Sequence, residues 1–177
     1  QILGIKLDVI RNAITAGLSA RNDTTRASAV CAAGGQQWYK TVEALRGQLA
    51  PLGWSIIDVN NLPLIRSKNN DVSIAVMTGS KSTGLVGVGD PTNQADKGMV
   101  VEGFSKSNQL DLFSEKDTST QVWVLLYHYD QSSNAVRFEL SLPTGFEKKQ
   151  IVRWGTRVIL GDIPNNGSDF EIKVDAP

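Results

Sequence analysis

Cysteine and histidine are nearly absent from this chain, since each occurs once among 177 residues, as Cys31 and His128. A single cysteine excludes an internal disulfide and a metal site built from several cysteines. One histidine excludes a histidine-rich metal cluster. We therefore predict no metal and no cofactor, except under a nuclease hypothesis, which requires a divalent ion.

The chain also lacks an excess of charge of either sign, because 18 Lys and Arg balance 18 Asp and Glu. Nucleic-acid-binding surfaces normally show a basic excess, so composition gives DNA binding little support. No apolar run approaches the ~20 residues of a membrane span. Lys6, Asp8 and Arg11 interrupt any signal-peptide pattern. We expect a cytoplasmic protein without a membrane partner.

Helical periodicity dominates the first fifty residues. Apolar residues at intervals of three or four predict an amphipathic helix over residues 2–20, and they are Leu3, Leu7, Ile10, Ile14 and Leu18. We predict a second, Ala-rich helix over residues 25–33, ended by the glycines at 34 and 35, and a third helix over residues 36–49. Cys31 is expected to be a small buried residue of the second helix.

From Trp54 onward the period changes to that of strands. Strands are predicted at residues 54–59, 72–77, 122–129, 136–142, 157–160 and 170–174, with shorter pairing at 85–88 and 99–104. Residues 122–129 are apolar on both faces, which is typical of a central strand. We predict one α+β domain over residues 1–177, with N-terminal helices (1–50) packed on a mostly antiparallel sheet (54–177) and a long loop at 79–120.

The pentapeptide at residues 109–113, Gln-Leu-Asp-Leu-Phe, resembles the short motif by which bacterial polymerases and repair proteins bind the DNA sliding clamp. In that motif a glutamine leads, and two leucines and a terminal aromatic fill an apolar groove. The resemblance implies that Gln109, Leu110, Leu112 and Phe113 contact the clamp. The alternative is that the three apolar side chains anchor a long loop onto the domain.

A glycine-rich stretch follows the strand at 72–77 and contains Lys81, Ser82 and Thr83. A phosphate-binding loop places its Lys-Ser/Thr at the start of a helix, whose free N–H groups hold the phosphates. Here the following residues are poor helix formers, so nucleotide hydrolysis is not predicted. The two remaining interpretations are a flexible loop and an anion contact made by these three residues.

A second chemical pattern lies near the end of the chain, where Glu171 and Lys173 have the Glu-x-Lys spacing of many metal-dependent nucleases. Asp162 or Asp169 would supply the preceding carboxylate, and the two carboxylates would share a divalent ion. The alternative is cross-strand charge pairing without catalysis. Charged residues predicted at solvent-facing positions of neighbouring strands are Arg137, Glu139, Arg157, Glu171 and Lys173.

His128 is the remaining weak candidate for catalysis, as a general base near the end of the central strand. A general base needs a partner within hydrogen-bond reach and access to substrate. Alternation places His128 on the face of Val122, Val124 and Leu126, away from the neighbouring tyrosines. A structural histidine at the strand end is therefore the favoured interpretation.

Together these patterns predict a binding or accessory protein rather than an enzyme. The specific hypothesis is a bacterial, phage or mobile-element protein of DNA metabolism that docks on the sliding clamp. The competing hypotheses are a metal-dependent nuclease and a homo-oligomeric structural module. An oligomer predicts an exposed apolar patch, whereas a nuclease predicts carboxylates that converge on a cleft.

Overall fold

A computed structural model describes residues 3–94, 99–111 and 120–166. At residues 99, 100, 107 and 109–111 it describes the backbone alone. Helix α1 spans Leu7–Asn22 and helix α2 spans Ala32–Leu49, followed by a short 3-10 turn at Ala50–Leu52. Helix α3 spans Met99–Asp111. The strands are β1 (Ser55–Val59), β2 (Leu62–Arg66), β3 (Val72–Thr78), β4 (Gln121–Asp130), β5 (Ala135–Glu147) and β6 (Gln150–Pro164).

The six strands form one sheet in chain order, β1-β2-β3-β4-β5-β6. Every neighbouring pair is antiparallel except β3 and β4, which are parallel. Parallel neighbours need a crossover connection, and α3 lies in the segment that joins them. The predicted α+β fold with N-terminal helices on a mostly antiparallel sheet is confirmed.

Both faces of the sheet are covered by helices. Helices α1 and α2 contribute Ile14 and Leu45 to a buried cluster with one face of β4, which includes Leu125. Helix α3 contributes Val101 to a second cluster with the opposite face, which includes Val124. The apolar run of β4 is thus explained by burial on both sides, as its sequence predicted.

The prediction of a separate helix over residues 25–33 is wrong. Residues 25–31 form turns, and α2 begins at Ala32 and runs through Gly34 and Gly35, which were expected to end a helix. Each glycine weakens a helix by about 1 kcal/mol relative to alanine. Burial of Leu45 and Leu49 compensates, since tertiary packing supplies most helix stability in proteins.

The structure contains one strand that the sequence pattern did not reveal. Asn60 and Asn61 have φ of 47° and 64°, which forms the tight turn of a hairpin between β1 and β2. Pro63 is tolerated in β2 because pairing with β3 begins only at Leu64. The shorter pairing predicted at 85–88 is absent, since those residues form bends and coil.

Residues 99–104 belong to helix α3, so the predicted strand pairing there is wrong. Tertiary contacts outweigh the β-branched local sequence. The Asn108 amide donates to the carbonyls of Val122 (2.9 Å) and Pro143 (3.0 Å), and Asn108 Oδ1 accepts from the Val122 N–H at 3.1 Å. These bonds fix the helix against β4 and β5.

The predicted loop after 162 begins later than expected, because β6 continues to Pro164. The predicted strand at 170–174 lies outside the described residues. Among the helices that the structure describes, none is long and apolar enough to cross a membrane.

Candidate anion-binding cleft

A cleft of about 530 Å³ lies where the parallel strands β3 and β4 end. Arg21 from the end of α1 and Gln37 from the first turns of α2 form one wall. Thr78 and Tyr127 contribute from β3 and β4. Ligands of open α/β sheets commonly bind beyond the carboxyl ends of parallel strands, and this helix-side cleft occupies that position.

The first turn of α2 faces this cleft through Gly34. The N-cap residue, Cys31, makes no side-chain capping hydrogen bond, and the first turn contains no acidic residue. The first N–H groups of a helix have no partner within the helix, and its dipole is positive at this end. The N-terminal end of α2 therefore favours negative charge in the cleft.

Two buried polar groups on cleft-lining side chains have no hydrogen-bond partner in the described part of the chain. They are Gln37 Nε2 and the Tyr127 hydroxyl, on side chains that are only 1% and 2% exposed. An unsatisfied buried donor costs about 1–3 kcal/mol. Burial raises the pKa of Tyr127, against the opposing effect of Arg21, so its hydroxyl stays neutral and able to donate.

Arg21 contacts the side chain of Gln37, and its charge acts on the Tyr127 hydroxyl. Its guanidinium carbon is 3.9 Å from the centre of the Tyr129 ring, and Nη1 donates a long hydrogen bond, 3.5 Å, to Gln37 Oε1. The ring is itself fixed, because the Tyr129 hydroxyl donates to Asn134 Oδ1 at 2.7 Å. Within the described ranges no carboxylate lies within 4.0 Å of Arg21. Stacking thus orients this cation without neutralising it.

Asp130 lies at the rim, but its charge is compensated. Its carboxylate accepts from the Ser132 hydroxyl at 2.6 Å and from the Ser132 N–H at 2.9 Å, and it forms an ion pair with Arg137. The hydrogen bonds from Ser132, followed by that from Arg137, hold the pKa of the Asp130 carboxyl well below its usual range. Among the described groups that line the cleft, the uncompensated positive charge is therefore that of Arg21 and the α2 terminus.

His128 lies between this cleft and a second one. Its Nδ1 is 3.0 Å from the backbone carbonyl oxygen of Gly79. A carbonyl oxygen only accepts hydrogen bonds, so Nδ1 carries the hydrogen and Nε2 is left for another partner. The ring ties the end of β4 to the residue that follows β3.

The second cleft, about 360 Å³, lies on the loop side of His128 and contains two of the predicted anion-binding residues, Lys81 and Ser82. The third, Thr83, is fully buried. The Thr83 hydroxyl packs against Gly79, since the Cβ of any other residue at position 79 would lie 2.2 Å from Thr83 Oγ1. Lys81 and Ser82 therefore share a cleft that Thr83 does not line.

The prediction that Glu139 faces solvent is wrong, because the glycine-rich loop covers that face of β5. Glu139 is 0% exposed and pairs with Arg157 at 2.7 Å, while its carboxylate accepts the Gly84 N–H at 2.8 Å. Arg137, also predicted to be solvent-facing, is only 14% exposed and donates to the carbonyls of Lys81 and Thr83. These charges hold the loop on the sheet.

Cys31 is exposed, which corrects the prediction of a buried core residue. The prediction placed Cys31 in an Ala-rich helix over residues 25–33 and took it as a small buried residue, as free cysteines usually are. Because α2 begins one residue later, Cys31 stands at the helix start and outside the packed interface.

The nuclease residues are only partly described. Asp162 is exposed in β6 and pairs across the sheet with Arg137, and its backbone carbonyl accepts from Arg11 at 3.2 Å. Asp169, Glu171 and Lys173 lie outside the described residues. In the part that is described, no three His, Cys, Asp or Glu side chains group in a way that would hold a metal ion. The nuclease hypothesis stays a prediction.

The clamp-binding motif falls at the end of α3. The backbones of Gln109 and Leu110 are helical, whereas Leu112 and Phe113 lie outside the described residues. A peptide that binds in extended form would require the last turn of α3 to unwind. Clamp docking stays a prediction, and titration of purified clamp with the wild type and with a Leu112→Ala/Phe113→Ala variant tests it.

No family model, curated protein or solved structure matches this chain. Arg21, Gln37 and Tyr127 were not singled out as site residues by sequence reasoning. One feature of the sequence pointed to the site: Gln37 and Thr41 lie at four-residue spacing in line with Leu45 and Leu49. The pattern therefore places two polar residues on the buried face of α2.

Proposed function

We propose that this protein is a binding protein for a small anionic ligand held in the helix-side cleft. The observation that carries the proposal is the pair of buried donors, Gln37 Nε2 and the Tyr127 hydroxyl, without partners in the described residues. A carboxylate or phosphate oxygen accepts from neutral donors of this kind. Buried polar groups in native proteins nearly always have a partner, and a bound anion supplies one.

The charges around the cleft favour an anion over a cation or a neutral molecule. Arg21 has no carboxylate partner in the described chain, and α2 presents its positive end. Among the described residues that line the cleft, the one carboxylate is that of Asp130, and it is already bonded to Ser132 and Arg137. A cation in this cleft would face Arg21, and no described residue of the lining offers it an uncompensated carboxylate.

Binding is favoured over catalysis because the described lining of the cleft contains no activated nucleophile or base. Nucleophilic and acid–base catalysis need a pair of groups within hydrogen-bond reach. The hydrogen-bond partner of His128 in the described structure is a backbone carbonyl, which orients the ring but cannot accept its proton. A volume of about 530 Å³ is in the range of small-molecule sites.

A thermal-shift screen tests the proposal with matched ligands. The screen pairs small carboxylates and phosphate monoesters with the corresponding neutral amides and alcohols. A ligand at about 100 times its Kd stabilises the native state by about 2.7 kcal/mol, which for this chain length raises Tm by roughly 5–10 °C. Stabilisation by acids and not by their neutral analogues is expected. Equal shifts for both, or no shift with any acid, would contradict the proposal.

The Arg21→Gln variant assigns any shift to the cleft. Its matched control is Arg26→Gln, which removes the same charge from an exposed residue that does not line the cleft. The acid-specific shift should disappear in the first variant and persist in the second. Loss of the shift in both variants would indicate a nonspecific effect of net charge.

A further inference from the structure

The helix-side cleft adjoins the cleft on the loop side. The two clefts share three lining residues, His128, Asp130 and Ser132, so they open on either side of the same ridge at the end of β4. Lys81 and Ser82 of the glycine-rich loop line the far side. A ligand that fills the first cleft therefore has a second cleft within its reach across His128.

Among the described residues that line the loop-side cleft, Lys81 is the cation without a partner. Arg137 is already engaged, because it pairs with Asp130 and donates to the carbonyls of Thr83 and Lys81. The ammonium group of Lys81 is exposed, and no acceptor in the described residues bonds to it. Its charge is therefore free to pair with a ligand, as that of Arg21 is in the first cleft.

The loop backbone that carries Lys81 is fixed by buried charges. Arg137 Nη2 donates to the Lys81 carbonyl at 2.7 Å, and the Glu139 carboxylate accepts the Gly84 N–H at 2.8 Å. Glu139 is in turn paired with Arg157. A fixed backbone lowers the entropic cost of placing Lys81 on a ligand, since only the side chain must be ordered.

His128 provides a polar contact between the two cations. With its Nδ1 hydrogen directed at the Gly79 carbonyl, Nε2 has no bond to any described group and lines the ridge. Neutral Nε2 accepts a hydrogen bond, and the protonated form donates one. The ridge thus offers one polar contact, besides the two cations, to a molecule whose acidic ends lie in the two clefts.

We propose, on the basis of the proposed function, that the ligand carries two acidic groups. One binds at Arg21, Gln37 and Tyr127, and the other pairs with Lys81 across His128. A lone inorganic ion would fill a small part of a cleft of about 530 Å³, whereas an organic dianion uses both clefts. Dicarboxylates and phosphorylated carboxylates share this chemistry.

Isothermal titration calorimetry tests the inference with the straight-chain dicarboxylates from succinate to suberate, the matched monocarboxylates, and phosphoglycerate as the phosphorylated carboxylate. At one chain length the dianion should bind at least tenfold more tightly than its monocarboxylate. Lys81→Met should lower dianion affinity about tenfold to a hundredfold, as expected for one charged hydrogen bond, and leave monocarboxylate affinity unchanged. Tighter binding of phosphoglycerate than of any dicarboxylate would identify a phosphate as one acidic group.

Lys68→Met is the matched control, because Lys68 is exposed on the turn between β2 and β3 and lines neither cleft. This variant should bind every probe as the wild type does. Equal affinities for dianions and monocarboxylates, or an unchanged dianion affinity in Lys81→Met, would overturn the inference of two acidic groups. Neither result would contradict anion binding in the helix-side cleft. Failure of every anion to bind would overturn both.

Discussion

Replacing Tyr127 by phenylalanine removes a single oxygen atom from beneath the helix-side cleft. In most buried positions this change destabilises a protein, because the hydroxyl has a partner. Here the hydroxyl has none in the described structure, on a side chain that is 2% exposed. Its desolvation cost, about 1–3 kcal/mol, is therefore not offset by a hydrogen bond within the described residues.

The expected result is that Tyr127→Phe raises the free energy of unfolding by about 1 kcal/mol in the absence of ligand. That corresponds to roughly 2–4 °C in Tm for a chain of this length. The matched control is Tyr129→Phe, two residues along the same strand. Its hydroxyl donates to Asn134 Oδ1 at 2.7 Å, so its removal should lower the free energy of unfolding by about 0.5–1.5 kcal/mol.

Urea denaturation followed by tryptophan fluorescence measures both variants. Ligand affinity should fall in Tyr127→Phe although the free energy of unfolding rises, because the substitution also removes a hydrogen-bond donor to the anion. Affinity should fall about tenfold or more for this variant. A loss of 1 kcal/mol or more in the stability of unliganded Tyr127→Phe would refute the reasoning, since it would show that the hydroxyl is hydrogen-bonded in the folded protein.

Three further predictions concern the framework around the cleft. Arg157→Met should lower the free energy of unfolding by about 3–5 kcal/mol in chemical denaturation, because it leaves the carboxylate of Glu139 buried without its cation; a loss below 1 kcal/mol would contradict this. Gly17→Ala should cost about 1–3 kcal/mol, since its Cβ would lie 2.0 Å from Thr41 Oγ1; an unchanged or raised Tm would refute a close α1–α2 contact. The lowered pKa of Asp130 contributes stability that is fully present above the ordinary carboxyl pKa of about 3.9 and is lost as the pH falls through the lower folded value. Unfolding midpoints of Asp130→Asn measured from neutral to acidic pH should therefore fall less steeply with acid than those of the wild type, and parallel curves would contradict the assignment.

The main elements of the fold follow from local sequence because their signals are periodic. The stripe that includes Ile10, Ile14 and Leu18 predicts α1, and these residues are buried in the structure. Residues 122–129 predict a central strand because a strand buried on both faces has no polar alternation. In both cases the burial pattern repeats along the element itself.

The failures have a different physical origin, since each depends on what a distant segment covers. Alternation along β5 correctly places Glu139 and Phe138 on opposite faces of the sheet. The prediction that Glu139 is exposed to solvent did not include the loop that packs on the Glu139 face. Residues 99–104 have a β-branched composition, yet α3 is fixed by Asn108 bonds to β4 and β5. Local propensity is a weak prior against such contacts.

The cleft was beyond sequence reasoning for the same reason. Arg21 marks the end of α1 in the sequence, and the structure adds that it stacks on Tyr129, more than a hundred residues later. The lack of a described partner for the Tyr127 hydroxyl becomes apparent only when α1, α2 and β4 are assembled. Gln37 alone had a readable signal, as an amide at a position of α2 that faces the core.

The most direct test of the anion-binding cleft is calorimetric titration of the best acid from the thermal-shift screen into the wild type and into Arg21→Gln and Arg26→Gln. We expect binding by the wild type and by Arg26→Gln. For Arg21→Gln we expect affinity at least tenfold weaker, because one charged hydrogen bond contributes about 1.5–3 kcal/mol. Equal affinity in all three proteins, with folding confirmed by circular dichroism, would contradict the assignment of the site.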